Sequence, residues 1–311
     1  MNYPKLSIII PSLNQGEYIE RTILSILKQD YQGEVEIIVS DGGSKDGTID
    51  ILKKYKQIIW WSEHDNGFAD SVNKALKIAD GEVIAIQSSD DYYLSNTFNV
   101  SVEFLFKNKE YGIVTANDIY LKKDKKTYIK SHIYTHKITP RNLLTYRNIP
   151  QHCTFIRRNA IEEVGCVRNL ASGKVDHLAD TDLWYRILHF YKGIFLPRYS
   201  AVYQYHDKQR ANKIELDRYN ILKKMIESCE KNIKYSSKFH LDPFEKEIIL
   251  ILYKLRITSE ISNFELLKLN EALESSNTKI DLKMSIENIL YKGKSRRERI
   301  YNYQINNNFF L

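Results

Sequence analysis

Along the first third of the chain, short unbroken apolar runs alternate with stretches in which apolar residues recur every third or fourth position. The first pattern predicts strands buried within a sheet, and the second predicts amphipathic helices. Leu6–Pro11 reads as the first strand, ended by proline, with Ser12-Leu13-Asn14-Gln15-Gly16 as the following turn. Ile19, Ile23, Ile26 and Leu27 mark a helix. Val35–Val39 is the second strand and runs into Ser40-Asp41-Gly42-Gly43-Ser44. Asp46 is the expected N-cap of the next helix, which carries Ile49, Leu52 and Tyr55. Ile58–Trp61 is the third strand, followed by Ser62-Glu63-His64-Asp65-Asn66-Gly67 and a helix burying Val72, Ala75, Leu76 and Ala79. Gly81 then opens a fourth apolar run that halts at Ser88-Ser89-Asp90-Asp91. A helix near Asn96–Phe106 and a strand at Gly112–Ala116 complete this half.

Strands alternating with helices predict right-handed βαβ crossovers and a Rossmann-like, mainly parallel α/β sheet flanked by helices. In four successive units the polar segment follows the strand. Such turns line one sheet edge, where a phosphorylated ligand can meet backbone N–H groups and helix N-termini. No Gly-x-Gly-x-x-Gly follows the first strand and no Walker lysine motif is present, which sets aside a dinucleotide fingerprint and a P-loop.

Further along, Lys122–Lys126 reads as a basic hairpin-like turn, and 130–150 is irregular, punctuated by Pro140 and Pro150. Gln151–Arg157 is an expected strand, Asn159–Val164 a short helix closed by Gly165, and Ala171–Lys174 a loop. From Leu178 a helix buries Leu183, Ile187 and Leu188, and strands at Ile194–Pro197 and Ala201–Tyr205 lead to His206. Residues 211–311 hold one glycine, Gly293, and one proline, Pro243, and predict a helical appendage. Its stripes are Ile221, Met225, Ile226 and Ile248, Leu252, Leu255; Lys292–Arg299 is a basic cluster suited to anionic lipid or nucleic acid, or a solvated helix end.

Two neighbourhoods carry candidate chemistry. Asp90 and Asp91 follow a buried strand, where side chains alternate between faces unless the backbone bends. Two hard oxygen ligands suit Mg²⁺ or Mn²⁺ completed by substrate phosphates; a solvated turn with Asp90 capping the next helix is the plain alternative. Asp180 and Asp182 lie in the first turn of a helix, where the dipole stabilises negative charge and Asp180 can serve as a cap. Asp182 is expected to face elsewhere and to matter less.

Composition narrows the partners. Net charge is +7, from 46 Lys+Arg against 39 Asp+Glu, which favours an anionic partner. The hydrophobic fraction of 43% and charged fraction of 27% are those of a soluble globular protein. Cys153, Cys166 and Cys229 are widely spaced without Cys-x-x-Cys, which fits a reduced, cytosolic compartment and not a zinc site. The N-terminus shows no signal-peptide h-region, and the longest apolar run, Ile248–Tyr253, is too short to span a bilayer.

Five segments in order resemble the family-2 glycosyltransferases, inverting enzymes of GT-A fold that use nucleotide-sugar donors. They are Ser7-Ile-Ile-Ile-Pro-Ser-Leu-Asn14 with the helix Tyr18–Gln29, Ile38-Val-Ser-Asp-Gly-Gly-Ser-Lys-Asp-Gly-Thr48, Ser62-Glu-His-Asp-Asn-Gly-Phe-Ala-Asp-Ser-Val-Asn-Lys74, Ser88-Ser-Asp-Asp91, and Ala179-Asp-Thr-Asp-Leu-Trp-Tyr-Arg186. The resemblance runs from Leu6 to about His206. It implies a GT-A domain over 1–210, with the donor side in 1–118 and the acceptor side in 119–210, and a helical region over 211–311.

By that resemblance Pro11, Ser12, Asn14, Asp41, Asp65, Lys74 and Asp90 border the nucleotide-sugar, Asp91 and His206 hold a divalent Mn²⁺ or Mg²⁺, and Asp180 is the general base. The implied acceptor is a saccharide or lipid-linked saccharide; separately, the tail's helical stripes and basic cluster suggest peripheral contact at the inner membrane face, and no nucleic-acid partner is expected. The oligomeric state stays open. Three departures mark this chain: Gly42 stands in place of a second acid, Ser89 in place of the first acid of Asp-x-Asp, and Ala179 in place of the usual Glu. A sugar nucleotidyltransferase, and a nucleotide-sugar-binding protein without turnover, are the competing readings.

Overall fold

The computed structural model describes residues 3–122, 126–130, 137–145, 149–171, 178–206, 216–258, 262–279, 282–283 and 285–286. The four apolar runs become β1 (Leu6–Ser12), β2 (Val35–Asp41), β3 (Ile59–Ser62) and β4 (Val83–Ile86), paired in parallel in the order β3-β2-β1-β4. Helices α1 (Ile19–Leu27), α2 (Thr48–Leu52) and α3 (Phe68–Leu76) form the crossovers. Ile8, Ile9 and Ile10 are all fully buried, because each face of β1 has its own core. Leu6, Ile8 and Ile10 pack with Ile19, Ile23 and Leu52, whereas Ile9 packs with Val72 and Ala75. Ile38 against Ile37 and Val39, and Ile84 against Val83 and Ala85, divide the same way. The alternation turns an unbroken apolar run into two cores, each such side chain contributing roughly 1.5–3 kcal/mol.

Past β4 come β5 (Tyr92–Tyr93), α4 (Thr97–Lys107), β6 (Tyr111–Leu121), β7 (Tyr128–Lys130), β8 (Lys137–Ile138), α5 (Pro140–Thr145), β9 (Phe155–Arg157), α6 (Arg158–Val164), α7 (Ala179–Ile187) and β10 (Lys192–Gln204). The sheet continues β4-β9-β6-β10-β5, with β9 antiparallel to both neighbours, β10 parallel to β6 and β5 antiparallel to β10. The Lys122–Lys126 turn falls between paired β6 and β7, and the Lys122 N–H donates to Thr127 O at 2.9 Å. The 171–174 loop lies mostly outside the described residues.

Three local expectations change. Gln151–Cys153 is a 3₁₀ turn and not the start of a strand; Thr154 closes it by donating its N–H to Gln151 O at 3.0 Å and its hydroxyl to Pro150 O at 2.7 Å. The two strands expected at 194–205 are one, β10, with register shifts around Tyr199 that accommodate the missing N–H of Pro197. Asp46 is not the N-cap of α2. Gly47 holds that position, and the Asp46 carboxylate accepts from the Thr48 N–H at 2.9 Å and the Gly16 N–H at 2.9 Å, tying the β2 turn to the β1 turn.

The C-terminal region folds as α8 (Leu216–Glu230), α9 (Ile233–Ser236), α10 (Pro243–Thr258) and α11 (Asn263–Glu274). Ile221, Leu222, Met225 and Ile226 join the core that holds Leu183, Trp184 and Ile187 of α7. Arg141 of α5 pairs with buried Glu245 of α10 at 2.9 Å. The expected boundary at 210 and the 292–299 basic cluster lie outside the described residues. Among the described residues no helix is long and apolar enough to cross a membrane.

Candidate active site

Parallel register brings the ends of the first three strands into one row, with Ser12 beside Asp41 and Asp41 beside Ser62. Asp41 is buried and organises the turns around it. Its Oδ2 accepts from Gly43 N–H (3.1 Å), Ser44 N–H (2.8 Å) and the Ser62 hydroxyl (2.7 Å), and its Oδ1 accepts from the Ser44 hydroxyl at 2.5 Å. Gly43 has φ +85°, a conformation that needs glycine there. Asn14, itself at φ +53°, donates its N–H to Ser44 Oγ at 2.7 Å and accepts from Lys45 N–H at 2.9 Å. The Ser12 hydroxyl is buried without a hydrogen-bond partner among the described residues, next to Pro11.

Gly42, one of the sequence departures, has a spatial reason. A Cβ at that position would lie 2.8 Å from Asp65 Oδ2, so glycine lets the Asp65 carboxylate approach the β2 turn. Asp65 also accepts the Gly67 N–H at 2.9 Å ahead of α3. Lys74 of α3 bridges Glu63 at 2.8 Å and Asp70 at 3.4 Å, and the bond to Glu63 raises its pKa above the ordinary lysine value. Apart from Asp90, the residues predicted to border the nucleotide-sugar therefore gather around the first three strand ends.

The fourth strand end carries the adjacent carboxylates, and the backbone sends them apart. The Thr22 hydroxyl of α1 spans the carbonyls of Ser89 (3.0 Å) and Asp91 (2.6 Å), while the Asp91 N–H reaches back to Ser88 O at 3.3 Å. Asp90 is half-buried and its Oδ2 lies 2.9 Å from His206 Nε2; the imidazole lies flat on Tyr18, centroids 4.4 Å apart at 16°. Asp91 is 1% exposed. Its Oδ1 accepts the Gln204 N–H at 2.9 Å, and its Oδ2 lies 3.5 Å from His152 Nδ1, whose other nitrogen is 3.3 Å from Asp118 Oδ2. Burial pushes the Asp91 carboxyl up to about 8, opposed by His152, raised further by Asp90 and opposed by the Gln204 N–H. Burial acts against charge on His152 too, yet Cys153, Asp91 and Asp118 together hold it well above the ordinary imidazole value.

His206 thus faces Asp90, not Asp91 as the expected metal pair had it, because Asp91 is turned inward toward β10 and the 3₁₀ turn. Among the described residues no group of three or more His, Cys, Asp or Glu side chains is arranged to hold a metal ion. Asp90 and His206 nonetheless set one oxygen and one nitrogen 2.9 Å apart at the end of β4. Mg²⁺ and its like are held by one or two protein groups with phosphates and water filling the rest, and this donor pair fits that arrangement.

On α7 the N-cap is Leu178, and Asp180 is the second helical residue; its Oδ1 accepts the Thr181 N–H at 2.6 Å and the Thr181 hydroxyl at 3.2 Å. Asp180 therefore ties down the first turn from inside the helix and not from the cap position. Asp182 is not the peripheral residue its position suggests. It is fully buried, accepts from Arg168 Nε and Arg186 Nε at 2.9 Å each and from Arg168 Nη2. Arg186 in turn donates to the carbonyls of Val164 (2.6 Å), Gly165 (3.1 Å) and Cys166 (2.8 Å) at the end of α6, and Arg168 reaches Ser228 of α8 at 3.2 Å. The i,i+4 spacing of Asp182 and Arg186 was the available signal for this pair. His152, Asp118, Gln204 and Arg168 gave none, since their partners come from distant segments.

The model of the family "Glycosyl transferase family 2" matches residues 7–165, slightly more than half of the chain. The chain is 30% identical over 186 residues to the Escherichia coli UDP-Glc:alpha-D-GlcNAc-diphosphoundecaprenol beta-1,3-glucosyltransferase WfaP, covering 59% of this chain and 70% of that protein. It is 37% identical over 109 residues to TuaG of Bacillus subtilis (strain 168), by name a teichuronic acid biosynthesis glycosyltransferase, covering 33% of this chain and less than half, 43%, of that one. In fold it is similar to Staphylococcus aureus TarS 1–349, solved with UDP-GlcNAc, at 15% identity and a TM-score of 0.61 over 91% of this chain and 81% of that one. The mannosyltransferase PcManGT of Pyrobaculum calidifontis, solved with GDP-Man and Mn²⁺, superposes at 17% identity and 0.56 over 94% and 89%. The fold is GT-A, and the chain belongs to glycosyl transferase family 2.

Proposed function

We propose that this glycosyltransferase moves a hexose from a UDP-sugar to a hydroxyl of a glycan or lipid-linked saccharide, in a metal-assisted single displacement that inverts the anomeric carbon. The observation that carries this reading is the Asp90–His206 pair, 2.9 Å apart, at the carboxyl end of β4 where the crevice of an α/β sheet opens. The UDP donor class follows the relatives named for UDP-Glc and UDP-GlcNAc. The lipid-linked acceptor follows WfaP.

The departing nucleoside diphosphate concentrates negative charge, and a divalent ion at Asp90 and His206 would neutralise it. The rest falls to the chain. Ser12, Asn14 and the turn held by Asp41 offer hydroxyl and amide groups at the donor's nucleotide. Asp65, admitted by Gly42, lies beside them. Asp180, oriented by Thr181, takes the proton from the acceptor hydroxyl, which is a poor nucleophile until deprotonated. One base opposite one leaving group gives inversion. Holding both substrates in line supplies much of the remaining acceleration. The acceptor side falls in residues 119–210, and the basic tail keeps the enzyme on the cytoplasmic membrane face.

The test is transfer from UDP-Glc and UDP-GlcNAc, with and without Mn²⁺, onto synthetic polyprenyl-diphosphate saccharides. A β-linked product from an α-linked donor supports the reading. Sugar-nucleotide formation with pyrophosphate, or donor binding without turnover on any acceptor, would favour the competing readings.

A further inference from the structure

Behind the Asp90–His206 pair lies a cluster the proposed reaction does not use. Asp91, Asp118 and His152 come from the turn after β4, from β6 and from the 3₁₀ turn before β9, and all three are buried. The two carboxylates flank one imidazole, with Asp91 Oδ2 3.5 Å from Nδ1 and Asp118 Oδ2 3.3 Å from Nε2. Asp91 and Asp118 approach opposite nitrogens of one buried imidazole, so the ring's place fixes the two side chains relative to each other.

His152 is itself held by a rigid frame. Gln151 donates to Ile86 O of β4 at 3.4 Å, and the Thr154 hydroxyl bonds Thr115 Oγ1 of β6 at 2.9 Å. The other oxygen of Asp91 accepts the N–H of Gln204, two residues before His206. A continuous chain of contacts therefore runs from β6 through His152 and Asp91 to the strand end that presents His206, and Asp90 is the next residue in the same turn.

We infer that His152 is a positioning residue for the donor site: by bridging Asp91 and Asp118 it fixes the β4 turn and the end of β10, so that Asp90 and His206 stay at the spacing that receives a metal-bound diphosphate. The inference rests on the proposed donor site and deepens it. Groups that orient metal-ligating side chains alter metal affinity or activity by about 10- to 100-fold when removed, and His152 acts on the ligand pair through Asp91 and the Gln204 N–H. A residue that merely filled the core would change melting temperature and leave nucleotide affinity alone.

The experiment compares calorimetric titration of UDP in the presence of Mn²⁺ with thermal melting, for the wild type, His152→Gln, His152→Gln/Asp118→Asn and Asp118→Asn. His152→Gln alone leaves Asp91 and Asp118 buried without the imidazole between them and is expected to melt early; in the double variant an amide replaces one of the two acids and restores folding. The expected result is a folded double variant whose UDP affinity is about 10- to 100-fold weaker than wild type, with Asp118→Asn weakened to a smaller degree. Wild-type affinity in any folded variant lacking His152 would overturn the inference, and so would a set in which no variant folds, since His152 would then be a core residue. Wild-type protein that binds no UDP with Mn²⁺ would overturn the proposed donor site itself, an outcome separate from either of these.

Discussion

Asp182 and Arg186, one helical turn apart on α7, form a fully buried ion pair two residues from Asp180. Arg168 completes the carboxylate's hydrogen bonds, and the free end of Arg186 caps the carbonyls that close α6. The helix proposed to carry the base is thus locked to the rest of the acceptor side by charge as well as by packing.

That lock sets the first prediction. Removing one partner of a buried, hydrogen-bonded ion pair leaves uncompensated charge and costs roughly 3–5 kcal/mol. Asp182→Ala should therefore lower stability in urea unfolding by about that amount and reduce transfer through misfolding. A stability within 1 kcal/mol of wild type, against the expected ~3–5, would show the two arginines solvated without it.

Asp180→Asn should behave in the opposite way. Asn accepts the Thr181 N–H as the carboxylate does, so the melting temperature and UDP binding should be kept. Loss of the proton acceptor should reduce the transfer rate by about 10²–10⁴-fold. Rates within a few-fold of wild type would make Asp180 a helix-terminus residue and send the search for the base elsewhere.

Gly42→Ala tests the donor side without touching a charged group. Its Cβ would press on Asp65 Oδ2 at 2.8 Å, displacing a carboxylate and not the backbone. UDP affinity should fall while the melting temperature changes little. Unchanged affinity would remove Asp65 from the donor contacts.

How far these residues were legible in the sequence depends on how local their partners are. β1 to β4 and their crossovers follow from apolar runs of a length and spacing that only a doubly covered sheet can bury, and the row Ser12, Asp41, Ser62 follows from parallel register. The adjacent pair Asp90 and Asp91 stood out, but not its division of labour. That division depends on Thr22, Gln204 and His152, which reach the turn from α1, β10 and the 3₁₀ turn. The strand expected at 151–157 failed because Thr154 bonds back to Pro150, a local turn that competes with extension. Asp182 faces elsewhere than Asp180, as expected, but that this other side is the interior was not legible, because only tertiary packing of Arg168 and Arg186 over a polar first turn makes it so.

The tail supplies a prediction of a different kind. α8 contributes Ile221, Met225 and Ile226 to the core of α7, so a chain ended near residue 210 should lose cooperative unfolding, and truncation is the wrong way to probe membrane contact. Replacing Lys292, Lys294, Arg296, Arg297 and Arg299 by Gln in the full chain is the better one. Co-sedimentation with phosphatidylserine-containing vesicles should weaken by about 1 kcal/mol per charge removed and fade as salt rises. Binding indifferent to both would leave the cluster a solvated segment.

The site itself is tested most directly by calorimetric titration of UDP into wild type and Asp90→Asn, each with and without Mn²⁺. With Asp90 and His206 holding the metal and its diphosphate, Mn²⁺ should strengthen UDP binding to the wild type and leave binding to Asp90→Asn unchanged, with both proteins melting alike. An equal gain from Mn²⁺ in the two proteins would contradict the assignment and return the metal to another part of the crevice.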